Sequence, residues 1–194
     1  MSAPPTAEIS AVMPAFNEAA NLERSVGQVA AALRRHARGY EIVLVDDGSQ
    51  DSTANVLERL KAAVPQLRVV RHPVNRGYGA AVRSGLDAAR LSWIFVIDAD
   101  NQFDPEEVGL LLARTADADI VAGYRLKRSD PLPRRLNAWA FFTLVRLLFG
   151  PLVRDVNCAF KLIRRDLVHR MALRSDGALI NTELLVLARQ IQAR

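Results

Sequence analysis

The chain has 194 residues, 50% of them hydrophobic and 24% charged, a composition typical of one soluble globular domain with a substantial core. Its 26 lysines and arginines exceed its 21 acidic residues, which favours an anionic partner such as a nucleotide, a phospholipid surface or nucleic acid. The only cysteine, Cys158, excludes an internal disulfide framework and a cysteine-based zinc site, and it fits a reducing compartment.

The first part of the chain alternates short apolar runs with stretches of helical periodicity. The apolar runs predict five strands, at residues 8–13, 40–45, 67–70, 93–97 and 119–122. Four helices are predicted between these strands. The first passes through residues 22–33, and the second follows the Asp51-Ser52 cap. The third follows Gly79 and continues to about Arg90, and the fourth extends from about Pro105 to Ala116. Strands that are apolar throughout and alternate with helices predict a single α/β domain, with a mostly parallel sheet covered by helices on both faces.

The alternation breaks down beyond residue 123. Residues 124–135 are basic and contain two prolines, a pattern typical of a mobile loop. Residues 136–149 are strongly apolar and are flanked by arginines, which fits either a helix on a membrane surface or a core helix of the domain. A short strand at 157–163, a helix from Asp166 and a last helix from about Ile180 complete the predicted elements.

Acidic and amide side chains follow the first, second and fourth predicted strands. Asp98 and Asp100 lie two residues apart, so in an extended segment both carboxylates project to the same side, with Gln102 next in the series. Hard oxygen ligands at this spacing suit Mg²⁺ or Mn²⁺. The alternative is that both acids are solvated residues of a turn that leads into the cap at Asp104-Pro105. Because parallel sheets bind ligands beyond the carboxyl ends of their strands, the combination favours a binding site.

Two other motifs leave their function open on the residues alone. Gly77-Tyr78-Gly79 resembles a phosphate-binding loop, but it lacks the third glycine of a dinucleotide site and the lysine of a P-loop, so we favour a structural turn. Asp46-Asp47-Gly48-Ser49 fits a turn that caps a helix, or a pair of carboxylates that bind a base or ribose. Glu18 fits a first-turn acid of a helix equally well.

Four motifs in this order resemble the family 2 glycosyltransferases. They are Val12-Met13-Pro14-Ala15-Phe16-Asn17-Glu18, Val45-Asp46-Asp47-Gly48-Ser49-Gln50-Asp51, Asn75-Arg76-Gly77-Tyr78-Gly79 and Asp98-Ala99-Asp100-Asn101-Gln102. Within that family, Ala122-Gly123-Tyr124-Arg125 and Asp155-Val156-Asn157-Cys158-Ala159-Phe160-Lys161 are most similar to the polyprenol-phosphate sugar transferases of the dolichol-phosphate mannose synthase type. The resemblance implies a Rossmann-like GT-A fold, a nucleotide-sugar donor, GDP-mannose or a UDP-sugar, a divalent metal, inverting transfer and a polyprenyl phosphate acceptor.

The resemblance also implies the site residues and a cofactor, Mg²⁺ or Mn²⁺. It places Pro14, Phe16 and Glu18 in the nucleotide pocket, and Leu44 and Asp46 in contact with the base and ribose. The diphosphate would contact Asp98, Ala99, Asp100 and Arg125. The metal ligands would be Asp98, Asp100 and Gln102. The implied catalytic residues are Asp100, Arg125 and Asp155. Glu183 falls in the acceptor half, where no role is assigned to it. Phe16 stands where this family often has tyrosine, so stacking remains and a hydroxyl contact is lost.

The acceptor decides whether a general base is needed. A phosphate monoester is mostly dianionic near pH 7, because its second pKa is about 6, and it needs no strong base. A saccharide hydroxyl would need one, and Asp155 is the first candidate. Three functions compete with a transferase that acts on polyprenyl phosphate. They are a transferase with a saccharide or other hydroxyl acceptor, a nucleotidyltransferase, and a non-catalytic module that binds nucleotide-sugar or nucleic acid. We expect no nucleic-acid partner, because the basic loop adjoins an apolar helix rather than exposed aromatic residues.

These expectations divide the chain into a flexible N-terminus at 1–7, a nucleotide-sugar-binding half at 8–123 and an acceptor half at 124–194. We expect no signal peptide and no membrane span, because no stretch reaches the roughly 18 uncharged apolar residues required. Residues 134–154 would make a peripheral membrane contact, which predicts a cytoplasmic protein at the inner face of the membrane. Relatives of this type commonly continue past the last helix into another strand and a basic loop, which leaves donor affinity and any later membrane segment open.

Overall fold

A six-stranded sheet forms the centre of the fold, and the computed structural model describes residues 6–125, 132–150 and 152–194. The strands are β1 Glu8–Ala15, β2 Gly39–Asp46, β3 Leu67–Arg71, β4 Trp93–Val96, β5 Ile120–Ala122 and β6 Lys161–Arg164, in the spatial order β3-β2-β1-β4-β6-β5. β1 pairs in parallel with both β2 and β4, and β2 pairs in parallel with β3. β6 is antiparallel to both of its neighbours, β4 and β5.

Helices cover both faces of this sheet, as predicted. They are α1 Ala19–His36, α2 Thr53–Ala63, α3 Tyr78–Ala88, α4 Val108–Leu112, α5 Leu132–Phe149, α6 Arg165–Val168 and α7 Ile180–Gln190. One buried cluster joins α1, α2 and α4 to the sheet, and the other joins α3, α5, α6 and α7 to the opposite face. Consecutive residues of β1 alternate between the clusters: Ile9, Ala11 and Met13 face the first, and Val12 faces the second.

The strand predicted at 157–163 begins later, at Lys161. The residues before it form a turn, in which the Cys158 amide donates to the Asp155 carbonyl at 3.3 Å. Extended pairing with β4 starts only where Lys161 lies opposite Val96. Because this strand from the C-terminal part of the chain pairs with β4, the two predicted halves share one sheet and form one domain.

The helix predicted at 105–116 is also shorter than expected. Residues Pro105–Glu107 form a 3-10 turn, which Asp104 caps by accepting from the Glu106 amide at 3.0 Å, and α4 then ends at Leu112. The Arg114 and Thr115 amides bond to the carbonyls of Leu111 and Leu112, three residues back, and the Thr115 hydroxyl also donates to the Leu112 carbonyl, at 2.8 Å. A side chain that bonds the backbone in this way competes with helix continuation.

The loops that follow β1 and β2 are bonded to each other. The Asn17 amide donates to the Ser49 hydroxyl at 2.9 Å, and the Asn17 side chain accepts from the Gln50 amide at 2.9 Å. Asp51 accepts from the Thr53 amide at 2.9 Å at the start of α2, and from the Ala19 amide at 3.3 Å at the start of α1. Ser52, the other residue of the predicted cap, stands at the N-cap position of α2 and makes no side-chain cap hydrogen bond. Two helix starts are therefore held at one edge of the sheet.

The close packing of α3 on the sheet predicts an unequal effect of two glycine substitutions. A methyl group at Gly85 of α3 would overlap the Val12 side chain, whereas one at Gly27 of α1 would meet nothing within 4 Å. We expect Gly85→Ala to destabilise the protein by about 1 to 2 kcal/mol, because overpacking outweighs the gain in helix propensity. Gly27→Ala is the matched control, expected to stabilise by up to about 1 kcal/mol. Urea unfolding measures both, and a Gly85→Ala protein as stable as wild type would contradict this packing.

Candidate functional site

A cavity of about 320 Å³ lies beyond the carboxyl ends of β1, β2 and β4. Six residues predicted for the site line it, namely Pro14, Phe16, Glu18, Asp98, Ala99 and Asp100. Four residues outside the assigned site residues also line it, namely Asp47, Asn75, Gly77 and Tyr78. The cavity therefore combines an apolar and aromatic side with a group of carboxylates.

Two predicted residues of β2 do not line this cavity. Leu44 is fully buried in the core under α1 and α2, so its side chain is not available to a base. Asp46 is 1% exposed, and its carboxylate accepts from the Ser49 amide at 3.0 Å and from Arg71 Nε at 3.1 Å. The structure thus gives Leu44 a packing position and uses Asp46 to hold the turn after β2.

Asp47, the neighbour of Asp46, organises the loop on the other side of the cavity. One carboxylate oxygen accepts from His72 Nδ1 at 2.6 Å and from the Arg76 amide at 2.9 Å. The other accepts from the Gly77 amide at 2.8 Å. Asp47 is 2% exposed, so these bonds satisfy a buried charge and tie the loop before α3 to the end of β2.

The Gly77-Tyr78-Gly79 motif is a structural turn, as we favoured. The first amides of α3 are already engaged, since the Asp176 carbonyl accepts from the Gly79 amide at 2.7 Å and from the Ala80 amide at 3.3 Å. Gly77 has a φ of +97°, and a Cβ on Gly79 would collide with carbonyls of the loop before α7. A phosphate cannot take the same amides, so this helix start is not a phosphate cradle in this structure.

Asp98 and Tyr78 form the innermost polar contact of the cavity. The Tyr78 hydroxyl donates to Asp98 Oδ1 at 3.1 Å. Burial, with a further contribution from the charge of Asp100, raises the pKa of Asp98 to about 6. Burial and the charge of Asp98 raise the pKa of Tyr78 above its ordinary value, so the hydroxyl remains a donor at neutral pH. The mutual repulsion of these two carboxylates favours the binding of a cation near them.

The oxygen donors present fit a divalent metal that is shared with a ligand. Asp100 Oδ1 accepts from the Gln102 amide at 3.0 Å, and the described residues donate no hydrogen bond to the second oxygen of either Asp98 or Asp100. The Gln102 side chain is exposed. Among the described residues, no three His, Cys, Asp or Glu side chains are grouped so that they alone hold a metal. Gln102, the predicted third ligand, is not among the residues that line the cavity. A partial shell of the two carboxylates suits Mg²⁺ or Mn²⁺ completed by a diphosphate.

Arg125 and Asp155, predicted for the acceptor side, are brought together. Arg125 Nε donates to Asp155 Oδ2 at 3.1 Å, and Asp155 is 6% exposed. The Arg154 guanidinium lies 4.3 Å from the ring centre of Tyr124. Both arginines thus lie at or beside residues 124 and 125, on the N-terminal side of residues 126–131. Of the basic loop predicted at residues 124–135, residues 126–131 lie outside the described residues. Residues 132–135 belong to α5, so the prediction of a loop was wrong for them.

The apolar segment predicted to contact either a core or a membrane does face the core on one side. Val145 of α5 is buried, whereas Leu144, Leu147, Leu148 and Phe149 are 53%, 79%, 66% and 42% exposed. None of the described helices is long and apolar enough to cross a membrane. The side chains of 132–139, which include Arg134 and Arg135, lie outside the described part. α5 therefore packs on the domain and also presents an apolar surface.

Sequence patterns did not reveal the role of Lys161. Its side chain is 1% exposed, and Nζ donates to the carbonyls of Val156, at 3.4 Å, and Cys158 and to Asn181 Oδ1, at 3.0 Å. Burial lowers the pKa of Lys161 to about 8. Glu183 lies on α7, as Asn181 does, and its carboxylate accepts from the Arg174 and Ser175 amides at 2.9 and 2.8 Å. It holds the loop that caps α3 and does not face the cavity.

Known proteins are similar to this chain in sequence. The chain is 36% identical over 166 residues to the undecaprenyl-phosphate 4-deoxy-4-formamido-L-arabinose transferase of Shewanella sediminis (strain HAW-EB3). It is 31% identical over 173 residues to the dodecaprenyl-phosphate galacturonate synthase of Rhizobium johnstonii (strain DSM 114642 / LMG 32736 / 3841). These matches cover 84% and 87% of this chain but 50% and 51% of those proteins. The chain thus spans about half the length of the curated relatives it matches.

Solved structures show the same fold at lower identity. The glucosyl-3-phosphoglycerate synthase from Mycobacterium tuberculosis in complex with UDP superposes with a TM-score of 0.72 at 21% identity. The match covers 95% of this chain and 66% of that one. A complex of the same synthase with Mn²⁺, UDP-glucose and phosphoglyceric acid gives a TM-score of 0.71 at 22% identity, with the same coverage of the two chains. These likenesses confirm the predicted GT-A architecture.

The family model described as Glycosyl transferase family 2 matches residues 10–171, which include the strands, the cavity and the Asp155–Lys161 segment. This span contains all the motifs from which the resemblance was inferred. The chain therefore belongs to glycosyl transferase family 2.

Proposed function

We propose that this chain is the catalytic domain of an inverting glycosyltransferase that moves one sugar from a nucleoside-diphosphate sugar to a polyprenyl phosphate. The observation that carries the proposal is the convergence of Pro14, Phe16 and Glu18 with Asp98 and Asp100 on one cavity at the carboxyl edge of the sheet. The names of both curated relatives contain a polyprenyl phosphate, which supports this class of acceptor.

The donor nucleotide would occupy the apolar side of the cavity. Phe16 is 42% exposed at the end of β1, where its ring is available to stack on a base, and Pro14 and Glu18 line the cavity beside it. The carboxylates of Asp98 and Asp100 then lie where the diphosphate follows. GDP-mannose and a UDP-sugar are both compatible with these residues, and the solved neighbour with bound UDP favours testing UDP first.

Asp98, Asp100 and Gln102 would hold Mg²⁺ or Mn²⁺. A bound divalent ion supplies positive charge that offsets the charge developing on the diphosphate. The chain's own residues keep the two acids close together, since Tyr78 fixes one oxygen of Asp98 and the Gln102 amide fixes one oxygen of Asp100. The second oxygen of each carboxylate would then coordinate the metal.

The transfer is a single displacement at the anomeric carbon. A phosphate oxygen of the acceptor forms the new bond as the bond from the anomeric carbon to the diphosphate oxygen breaks, and the configuration inverts. Arg125 stabilises phosphate charge at this stage, because a guanidinium pairs well with phosphate oxygens. Its bond to Asp155 holds it beside the acceptor side beforehand. The dianionic acceptor needs no proton removed, so Asp155 acts here as a partner of Arg125 and not as a general base.

The acceptor lipid implies a membrane surface, and α5 is suited to contact it. Arg146 lies between the exposed Leu144 and Leu147 in the sequence, and it lines a further cavity together with Arg154. Apolar side chains and cationic groups therefore occur on the same segment, a combination that favours an interface with anionic lipid. We therefore propose that the segment 134–154 makes a peripheral membrane contact. The location at the inner face of the membrane stays a prediction.

The proposed reaction is tested with a panel of GDP- and UDP-sugars, Mn²⁺ or Mg²⁺ and a short polyprenyl phosphate. We expect metal-dependent transfer of sugar into the organic extract, and Asp100→Asn to lower the rate about 100-fold or more, because it removes a ligand of the charge-stabilising ion. Asp117→Asn, at an exposed acid remote from the cavity, is the matched control and should keep the wild-type rate. Binding of nucleotide-sugar with transfer only to saccharide hydroxyls would overturn the acceptor assignment, and no binding of any donor would overturn the function.

The proposed membrane contact is tested by sedimentation with vesicles that contain phosphatidylglycerol. Replacing both Leu147 and Leu148 by serine should reduce binding about 10-fold or more, because two exposed apolar side chains no longer enter the interface. Leu110→Ser is the matched control, because Leu110 is 69% exposed on α4, on the opposite face of the sheet. Equal sedimentation of all three proteins would exclude α5 as the contact.

A further inference from the structure

Four polar side chains lie in series from the cavity towards the inside of the domain, namely Asp98, Tyr78, Asn181 and Lys161. The Tyr78 hydroxyl donates to Asp98 Oδ1 at 3.1 Å, and the side chain of Asn181 interacts with the same hydroxyl. Asn181 Oδ1 in turn accepts from Lys161 Nζ at 3.0 Å. Asn181 and Lys161 are 8% and 1% exposed, so the inner half of this series is shielded from water.

The series of side chains from Asp98 to Lys161 ends at the turn that carries Asp155. Lys161 Nζ also donates to the carbonyls of Val156 and Cys158, so its ammonium is bonded to three oxygens from two elements. Asp155 begins this turn and is bonded to Arg125. A single buried cation therefore connects the acceptor-side turn, α7 and, through Tyr78, the carboxylate of Asp98.

We propose that Lys161 and Asn181 are positioning residues that act through Tyr78 to fix the orientation of Asp98, and so couple the acceptor-side turn to the donor cavity. Lys161 orients the amide of Asn181 by occupying its oxygen. The amide nitrogen then donates to the Tyr78 hydroxyl, whose own proton is directed to Asp98 Oδ1. This inference rests on the proposed function, because it assigns Asp98 to the binding of a metal and a diphosphate.

The physical reason for such a network is that Asp98 is a short side chain with two equivalent oxygens. A donor held rigidly at one oxygen fixes the plane of the carboxylate and leaves the other oxygen for a ligand. The donor is more rigid when its own partners are buried and bonded, and Asn181 is buried and held by Lys161, whose ammonium has three acceptors. Neither of them lines the cavity, so they can influence a bound nucleotide only through Tyr78.

The first test removes one hydroxyl group. Isothermal titration calorimetry with UDP or GDP and Mn²⁺, without acceptor, measures binding independently of transfer. We expect Tyr78→Phe to raise the Kd for the nucleotide in the presence of Mn²⁺ about 10-fold, the usual effect of losing a residue that orients a metal ligand. Tyr40→Phe is the matched control, because the buried Tyr40 hydroxyl has no hydrogen-bond partner in the described structure, and its Kd should equal that of wild type.

The second test asks whether the residues act in series. Asn181→Asp keeps an oxygen that accepts from Lys161 but loses the N–H group that bonds Tyr78. We expect a rise in Kd close to that of Tyr78→Phe, and we expect the double variant to bind no more weakly than Tyr78→Phe alone. Effects that multiply in the double variant would show that the two residues act independently and would overturn the inference.

The third test addresses Lys161, which lies furthest from the cavity. Lys161→Met should weaken nucleotide binding, and Lys161→Arg, which retains the charge and several donors, should restore part of it. If Lys161→Met does not fold, as judged by its thermal unfolding, the Tyr78 and Asn181 variants still decide the question. A wild-type protein that binds neither nucleotide with Mn²⁺ overturns the proposed function and this inference with it. Equal binding by wild type, Tyr78→Phe and Asn181→Asp overturns this inference alone.

Discussion

The parallel pairing of β1 with both β2 and β4 is the constraint on which the rest of the site depends. Their registers place Ala15 opposite Asp46 and Val12 opposite Val96, so the three strands end at one edge. Backbone groups past the last pair have no neighbouring strand and must find other partners. The polar residues after each strand meet this need and, in doing so, come together around one cavity.

Burial then divides the acids at this edge into two kinds. Asp46 and Asp47 are 1% and 2% exposed and have their oxygens occupied by amides and basic side chains of the neighbouring loops. Asp98 and Asp100 face the cavity, and each has one oxygen engaged within the protein. Aspartate therefore holds the loops in one place and leaves oxygens available to a ligand in the other. The reason is that an unpaired charge is tolerated only where water or a ligand can reach it.

The antiparallel strand β6 links the acceptor side to this arrangement. It pairs with β4, the strand that precedes Asp98, and it begins with Lys161, which bonds the turn that starts at Asp155. The loop before α7 adds a second connection, since its Asp176 carbonyl occupies the first amides of α3. The proposed donor and acceptor sides are consequently parts of one packed unit, in which a change on one side has a physical route to the other.

Local patterns in the sequence determined the strand-helix alternation, the family motifs, the structural turn at Gly77-Tyr78-Gly79 and the pairing of Asp98 with Asp100 at a strand end. Each of these depends on residues that are neighbours in the chain, so spacing and residue type are sufficient. Tertiary structure alone decided that Leu44 is a core residue, that β6 runs antiparallel, and that Lys161 is buried against Asn181, 20 residues away. Asp47 likewise bonds the Gly77 amide from 30 residues away. The physical reason is that burial and hydrogen-bond partners are set by which distant segments pack together, and no local pattern contains that information.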